Sequence, residues 1–279
     1  MSYVALGDSY ASGEGLAPYE PGAGGCRRSS RSYPSLLGAT GPERFSEVTS
    51  AACSGAVTGD ILGTQVSALA STTRTVTLTV GGNDVGFATV VAACLHTTDP
   101  RLRMALEGYA TQTDAWRRRL RAGVEQRVAF LGGPAAVPRD RSLPLVRVLA
   151  DVARRAPDAQ ILVTGYPRLL GQQPGPQGHR ASDVLPLFVR PEDADWLTEQ
   201  NDALNAAVAS GVERARAGGV DARFVDVAAG FGGHGLSDAA APWVNGVVLA
   251  TVGSLVPDSS SFHLTAEGQA AYAAAVAAA

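Results

Sequence analysis

Four short runs rich in β-branched and aliphatic residues, 3–7, 75–80, 159–164 and 222–227, each stop at a glycine or alanine, and helix-like patterns separate them. A fifth, weaker run at 45–52 stops just before Cys53. Short apolar runs of this kind suit parallel strands covered on both faces, and parallel neighbours need a crossover between them. The intervening segments supply it. Trp116, Leu120, Val124 and Val128 recur at fours; Leu145, Val146, Leu149, Val152 and Ala153 form one stripe, and Trp196, Leu197, Leu204, Val208, Gly211 and Val212 another. The alternation predicts an α/β fold, a three-layer α/β/α sandwich around a central parallel sheet of about five strands. Loops at the C-terminal ends of such strands lie together, and ligands collect there.

No internal repeat and no linker divides the 279 residues, so 1–279 reads as a single domain. With 46% hydrophobic residues, 18% charged and 32 glycines, the chain can bury a large core and is neither disordered nor fibrous. Residues 171–178, rich in Pro, Gly and Gln, read as a loop that continues to about Pro191. The alanine-rich stretch 266–279 reads as a final helix with Tyr272 and Val276 inward and Glu267 near its positive end.

A formal net charge of -3 gathers no polyanion, so nucleic acid is excluded as a partner. The basic group Arg117, Arg118, Arg119 and Arg121 reads as a solvated helix face. No apolar run reaches the roughly 18 residues of a membrane span. The opening residues Met1 to Leu6 are too short and uncharged for a secretory leader, which leaves a cytoplasmic protein or one whose leader was removed. Cys26, Cys53 and Cys94 form no CxxC pair and have no His at metal-ligand spacing. They permit one disulfide with one thiol left over, or three buried thiols.

Gly7-Asp8-Ser9 closes the first strand, and a serine on a tight turn above a sheet edge is well placed as a nucleophile. The GxSxG elbow of the α/β-hydrolases is absent. Gly81-Gly82-Asn83-Asp84 follows another strand; an uncharged amide such as Asn83 is a good oxyanion donor, though it could equally cap the next helix. In Cys53-Ser54-Gly55-Ala56, Gly55 would let a backbone N–H approach a substrate oxygen, or simply make a turn. His263 stands at a loop-to-helix junction near the C-terminus, while His96, His179 and His234 read as surface residues. Trp116, Trp196 and Trp243 read as packing residues, Trp243 lying in a loop.

In this order, the four elements resemble the four conserved blocks of the SGNH hydrolases, also called GDSL esterases and lipases. The segments Tyr3-Val4-Ala5-Leu6-Gly7-Asp8-Ser9-Tyr10-Ala11-Ser12-Gly13-Glu14-Gly15, Cys26-Arg27-Arg28-Ser29, Ala52-Cys53-Ser54-Gly55-Ala56 and Ser261-Phe262-His263 resemble the secreted actinobacterial, Streptomyces-type esterase and lipase branch. The resemblance implies a flavodoxin-like sandwich and a serine carboxylic-ester hydrolase. Ser9 would be the nucleophile and His263 the base, with the N–H groups of Ser9 and Gly55 and the Asn83 amide as oxyanion donors. It also implies a Cys26–Cys53 disulfide, which leaves Cys94 as the remaining thiol, and an extracellular location.

The family's usual Asp three residues before the His is Ser260 here, and Leu264 stands where Pro is usual. The Ser260 carbonyl is expected to orient His263, with the Asp258 side chain as the competing orienter. No metal or organic cofactor is required, the expected partner is a lipid or small-molecule ester met in transient contact with a lipid surface, and a monomer is expected. O-deacetylation of glycans or natural products, and acyl transfer to another alcohol, are the alternative reactions on the same scaffold. A non-catalytic binding module on that scaffold would usually have lost Ser9, Asn83 or His263.

Overall fold

The computed structural model describes residues 1–40, 45–102, 114–134, 141–172, 174–183, 185–251 and 257–279. Five strands, β1 (Ser2–Gly7), β2 (Glu47–Ser50), β3 (Thr73–Thr79), β5 (Gln160–Thr164) and β8 (Ala222–Val225), form one parallel sheet in the order β2-β1-β3-β5-β8. This is the flavodoxin-like order, in which the chain first winds outward on one side of β1 and then returns to the other. The switch point therefore lies at β1, the strand that carries Gly7-Asp8-Ser9.

Two helix layers cover the sheet, as the alternating pattern predicts. The short α1 (Ser9–Ser12) follows β1, α2 (Tyr33–Thr40) packs against α8 (Ala266–Ala277), and α3 (Thr58–Gly63) packs against α6 (Leu145–Arg155). The helices α5 (Asp114–Gly132) and α6 both pack against the long α7 (Pro191–Ala217). Burial follows the predicted stripes in part: Leu145, Leu149 and Val152 of α6 are fully enclosed, as are Tyr272 and Val276 of α8, whereas Val146 and Ala153 are half-buried and Val148, outside the predicted stripe, is enclosed. Among the described residues no helix is long and apolar enough to cross a membrane.

Strand β3 alternates Thr75, Thr77 and Thr79 with Val76, Leu78 and the following Val80, and all six are buried. Buried hydroxyls need partners. Tyr3 Oη meets Thr77 Oγ1 at 2.9 Å, Tyr33 Oη meets Thr79 Oγ1 at 2.8 Å, and Thr79 meets Thr164 at 2.7 Å. The Tyr272 hydroxyl reaches both Thr164 Oγ1 (2.8 Å) and the Gly165 carbonyl (2.6 Å), with its ring stacked on Tyr33. These hydroxyls tie α2 and α8 to the sheet beneath them.

Three differences from the sequence expectations stand out. Within the stretch read as a continuous loop, β6 (His179–Arg180) and β7 (Leu187–Val189) pair antiparallel, and β7 pairs in turn with β4 (Leu95–Thr97), which follows α4 (Phe87–Cys94). Strands of two or three residues carry no readable period. His179, expected at the surface, is buried with β6. Arg121 is not a solvated face residue: it pairs with the buried Asp193 at 2.7 Å and lies 4.6 Å from the centre of the Trp196 ring. The side chain of Arg117 lies outside the described residues, whereas Arg118 and Arg119 are exposed.

Candidate active site

Strand β1 ends at Gly7 because a side chain there would collide with the Thr79 carbonyl of β3, 2.5 Å from an ideal Cβ, at a φ of 146°. Its peptide groups are held by the buried Gln65, which accepts from Gly7 N (2.7 Å) and donates to Gly7 O (2.8 Å). Asp8 then caps α1 by accepting from Tyr10 N (3.0 Å), so Ser9 is the first residue of that turn. The Tyr166 hydroxyl, itself accepting from Gly82 N at 3.0 Å, donates to the other Asp8 oxygen at 2.5 Å. Burial pushes the Asp8 carboxyl up to about 7, against the hydrogen bonds from Tyr166 and Tyr10.

The flanking strands bring the other two elements alongside. After β2, Cys53 N donates to Gly7 O (2.9 Å), and Cys53 forms the disulfide with Cys26. Gly55 follows at φ 77°, facing open space, and among the described residues nothing takes up its N–H. After β3, the Asn83 side chain donates to Ala56 O at 3.0 Å, which fixes the amide while leaving its second N–H to point elsewhere. Ser9, the Gly55 turn and the Asn83 amide thus come from the ends of three adjacent strands, with Ser9 in the middle.

His263 arrives from the opposite end of the chain. Its Nε2 lies 2.8 Å from Ser9 Oγ. The Tyr10 hydroxyl donates to the Phe262 carbonyl (2.9 Å), and Asn245 brackets the loop through Asn245 N to His263 O (2.8 Å) and Phe262 N to Asn245 O (3.1 Å). Phe262 itself sits at φ 60°, a left-handed conformation a phenylalanine rarely adopts, and these hydrogen bonds hold it there. Burial holds the imidazole below the usual histidine range, opposed by the Glu14 carboxylate and by the carbonyls of Ser259 and Ser261. A neutral imidazole beside a serine hydroxyl is set to accept its proton.

The expected orienter is corrected by this geometry. The Ser260 carbonyl accepts from His263 N (3.1 Å) and Asn245 Nδ2 (3.3 Å), the Asp258 carboxylate accepts from Ser260 N (2.8 Å), and neither makes a hydrogen bond to the imidazole. Nδ1 is buried and makes no hydrogen bond among the described residues. The turn at Phe262 redirects the peptide planes, which spacing along the chain cannot reveal.

The cavity beside Ser9 and His263 measures about 410 Å³. One end carries Ser9, Ser54, Gly55, Asn83 and His263, and the remaining wall is largely apolar, with Phe87, Ala92, Leu95, Leu169, Leu204 and Val247. Sequence reasoning missed Glu14, which lines the same cavity with only 5% of its surface exposed, and also Asn245, Tyr166 and Gln65. A charge between two glycines, five positions after Ser9, is the one local signal that could have found Glu14. His96, His179 and His234 take no part in the cavity, and the described part of Cys94 is a buried thiol in α4.

Comparison with known proteins identifies relatives over nearly the whole chain. A lipase of Streptomyces rimosus is 33% identical over 267 residues, 96% of this chain and 82% of that protein, and Lipase 1 of Streptomyces coelicolor is 32% identical over 269 residues with the same coverage. The crystal structure of phospholipase A1 from Streptomyces albidoflavus superposes with a TM-score of 0.75 at 31% identity, covering 99% of this chain and 98% of that one. That of the extracellular lipase from Streptomyces rimosus gives 0.73 at 31%, covering 100% and 99%. The profile of the GDSL-like lipase/acylhydrolase family matches residues 5–271, and the chain belongs to that family of ester hydrolases.

Proposed function

We propose that this ester hydrolase cleaves carboxylic esters of fatty acyl chains, lipids and phospholipids among them, through a Ser9–His263 dyad within one domain. The observation that carries the reading is the 2.8 Å contact between His263 Nε2 and Ser9 Oγ at the head of an apolar cavity. His263 takes the Ser9 proton as Oγ attacks the ester carbonyl; the proton passes to the departing alkoxide, and water then hydrolyses the acyl-enzyme by the reverse path. The N–H groups of Ser9 and Gly55 and the Asn83 amide receive the oxyanion, whose charge develops in both steps.

The cavity volume falls within the roughly 300–1,000 Å³ of small-molecule sites, and its apolar wall suits an acyl chain better than an acetylated sugar. The names of the relatives, lipases and a phospholipase A1, support the same class. Extracellular action as a monomer, reaching substrate through transient contact with lipid surfaces, fits the Cys26–Cys53 disulfide and the extracellular relative. Hydrolysis of p-nitrophenyl esters from acetyl to palmitoyl, run beside Ser9→Ala, tests the proposal. Turnover peaking at medium or long chains and vanishing in the variant is expected; activity confined to acetyl esters would move the assignment to O-deacetylation, and activity surviving in Ser9→Ala would end it.

A further inference from the structure

Glu14 lies in a turn between Gly13 (φ 82°) and Gly15 (φ 99°), a backbone path that folds the side chain inward. A Cβ added at Gly15 would sit 3.5 Å from His263 Cβ and from the Asn245 side chain, so this turn packs directly on the histidine loop. Buried carboxylates are rare unless they are paired. This one is paired three ways. Oε1 meets Arg27 NH1 at 2.9 Å, Oε2 accepts the hydroxyl of Ser54, and the same Oε2 lies 3.7 Å from Nε2 of His263.

Each partner belongs to a different part of the site. Arg27 follows the disulfide cysteine Cys26 and adopts φ 50°. Ser54 immediately precedes Gly55, and its own N–H donates to the Cys26 carbonyl at 3.1 Å. Among the described residues no carboxylate bonds Nδ1 of His263, so the imidazolium formed during acylation lacks there the anion that a triad would supply.

We propose that Glu14 is a positioning residue of this reaction: clamped by Arg27 and Ser54, it sets the Ser54–Gly55 turn and supplies, from the Nε2 edge, the counter-charge of the His263 imidazolium. The inference rests on the Ser9–His263 reading. In each half-reaction the serine or water O–H bond breaks as Nε2–H forms, and the proton leaves again to the departing oxygen. Glu14 takes no proton. At 3.7 Å it lies beyond hydrogen-bonding distance and acts by its charge. Among the described residues, the charged and titratable groups beside the imidazole are Glu14 and Arg27 from the N-terminal segments and Tyr10 from α1 with its ring 5.6 Å away, while Asp258 of the same loop is engaged with Ser260 N. The first two pull its affinity for a proton in opposite directions.

Opposed variants test the proposal. Glu14→Gln keeps the volume and an oxygen for Ser54 but removes the charge; kcat should fall about tenfold with KM little changed, and the acid limb of the kcat/KM profile should move down by about one pH unit. Arg27→Gln should move that limb upward, and Glu14→Asp should keep it near the wild-type position whatever its rate. Thermal melts check folding, and if Glu14→Gln does not fold, the Arg27→Gln and Glu14→Asp profiles carry the test. A limb that stays fixed in Glu14→Gln, or an Arg27→Gln limb that stays or moves downward, would overturn the role of Glu14. Activity surviving in Ser9→Ala would instead overturn the dyad on which it rests.

Discussion

Replacing Asp8 by Asn should flatten a pH dependence of stability that the wild-type protein carries at the base of its active site. Asp8 is 1% exposed, and its carboxyl is pushed from 3.8 up to about 7, chiefly by burial. The native state therefore holds this proton more tightly than the unfolded chain does. For a raised folded pKa the favourable contribution is complete below pH 3.8 and is lost as pH rises to about 7. A shift of that size corresponds to about 4 kcal/mol, spread at about 1.4 kcal/mol per pH unit across the window. Asn keeps an oxygen for the Tyr10 N–H but cannot ionise. Urea unfolding of both proteins from pH 4.5 to 8.5 gives the difference directly. Asp84, raised in the same direction by burial, is common to both proteins and cancels in that difference. Wild type should lose ground steadily against Asp8→Asn up to about pH 7 and hold a constant gap above it. Parallel curves throughout would refute the reasoning, because they would mean that the Tyr166 and Tyr10 donors offset the burial of the charge in full.

Other perturbations separate the parts of the site. Asn83→Ala should lower kcat on p-nitrophenyl esters by roughly 10²–10³-fold with a small change in KM, the loss typical of one oxyanion donor. Asn245→Ala removes the side-chain bond to the Ser260 carbonyl but not the two backbone bonds to the histidine loop, so kcat/KM should fall about tenfold while the melting temperature drops by only a few degrees. A Cys26→Ser/Cys53→Ser double variant opens a crosslink spanning 27 positions and should cost about 3 kcal/mol in denaturant unfolding. Ala92→Trp fills part of the apolar wall, and the chain-length optimum in the ester series should move to shorter acyl groups.

Four of the five strands were legible as short β-branched and aliphatic runs closed by glycine or alanine, the exposed β2 more weakly, and four candidate site residues stood out because each follows such an ending or occupies a loop-to-helix junction. Ser9, Gly55 and Asn83 follow β1, β2 and β3, and His263 precedes α8. What stayed hidden depends on partners far away in the chain. Glu14 draws its meaning from Arg27, Ser54 and His263, Gln65 from a peptide 58 positions earlier, and Tyr166 from a carboxylate 158 positions earlier. No local period encodes such contacts. The expected orienter of the histidine failed for a different reason: whether a carbonyl meets Nδ1 depends on the backbone path through a left-handed Phe262, and backbone direction is invisible to a pattern of side chains. The small antiparallel sheet escaped notice because its strands are shorter than any periodicity they could display.

Ser9 and His263 are separated by 254 positions, while Gly55 and Asn83 lie within the first 83 residues. A nascent chain can therefore pair β1, β2 and β3 and shape the turns around the nucleophile well before the base exists. The contact between Ser9 and His263 forms only when the segment carrying His263 folds back across the sheet. The same order works in reverse. A single cut between β8 and His263 would sever no strand of the sheet and would leave His263 held beside Ser9 only by packing and hydrogen bonds.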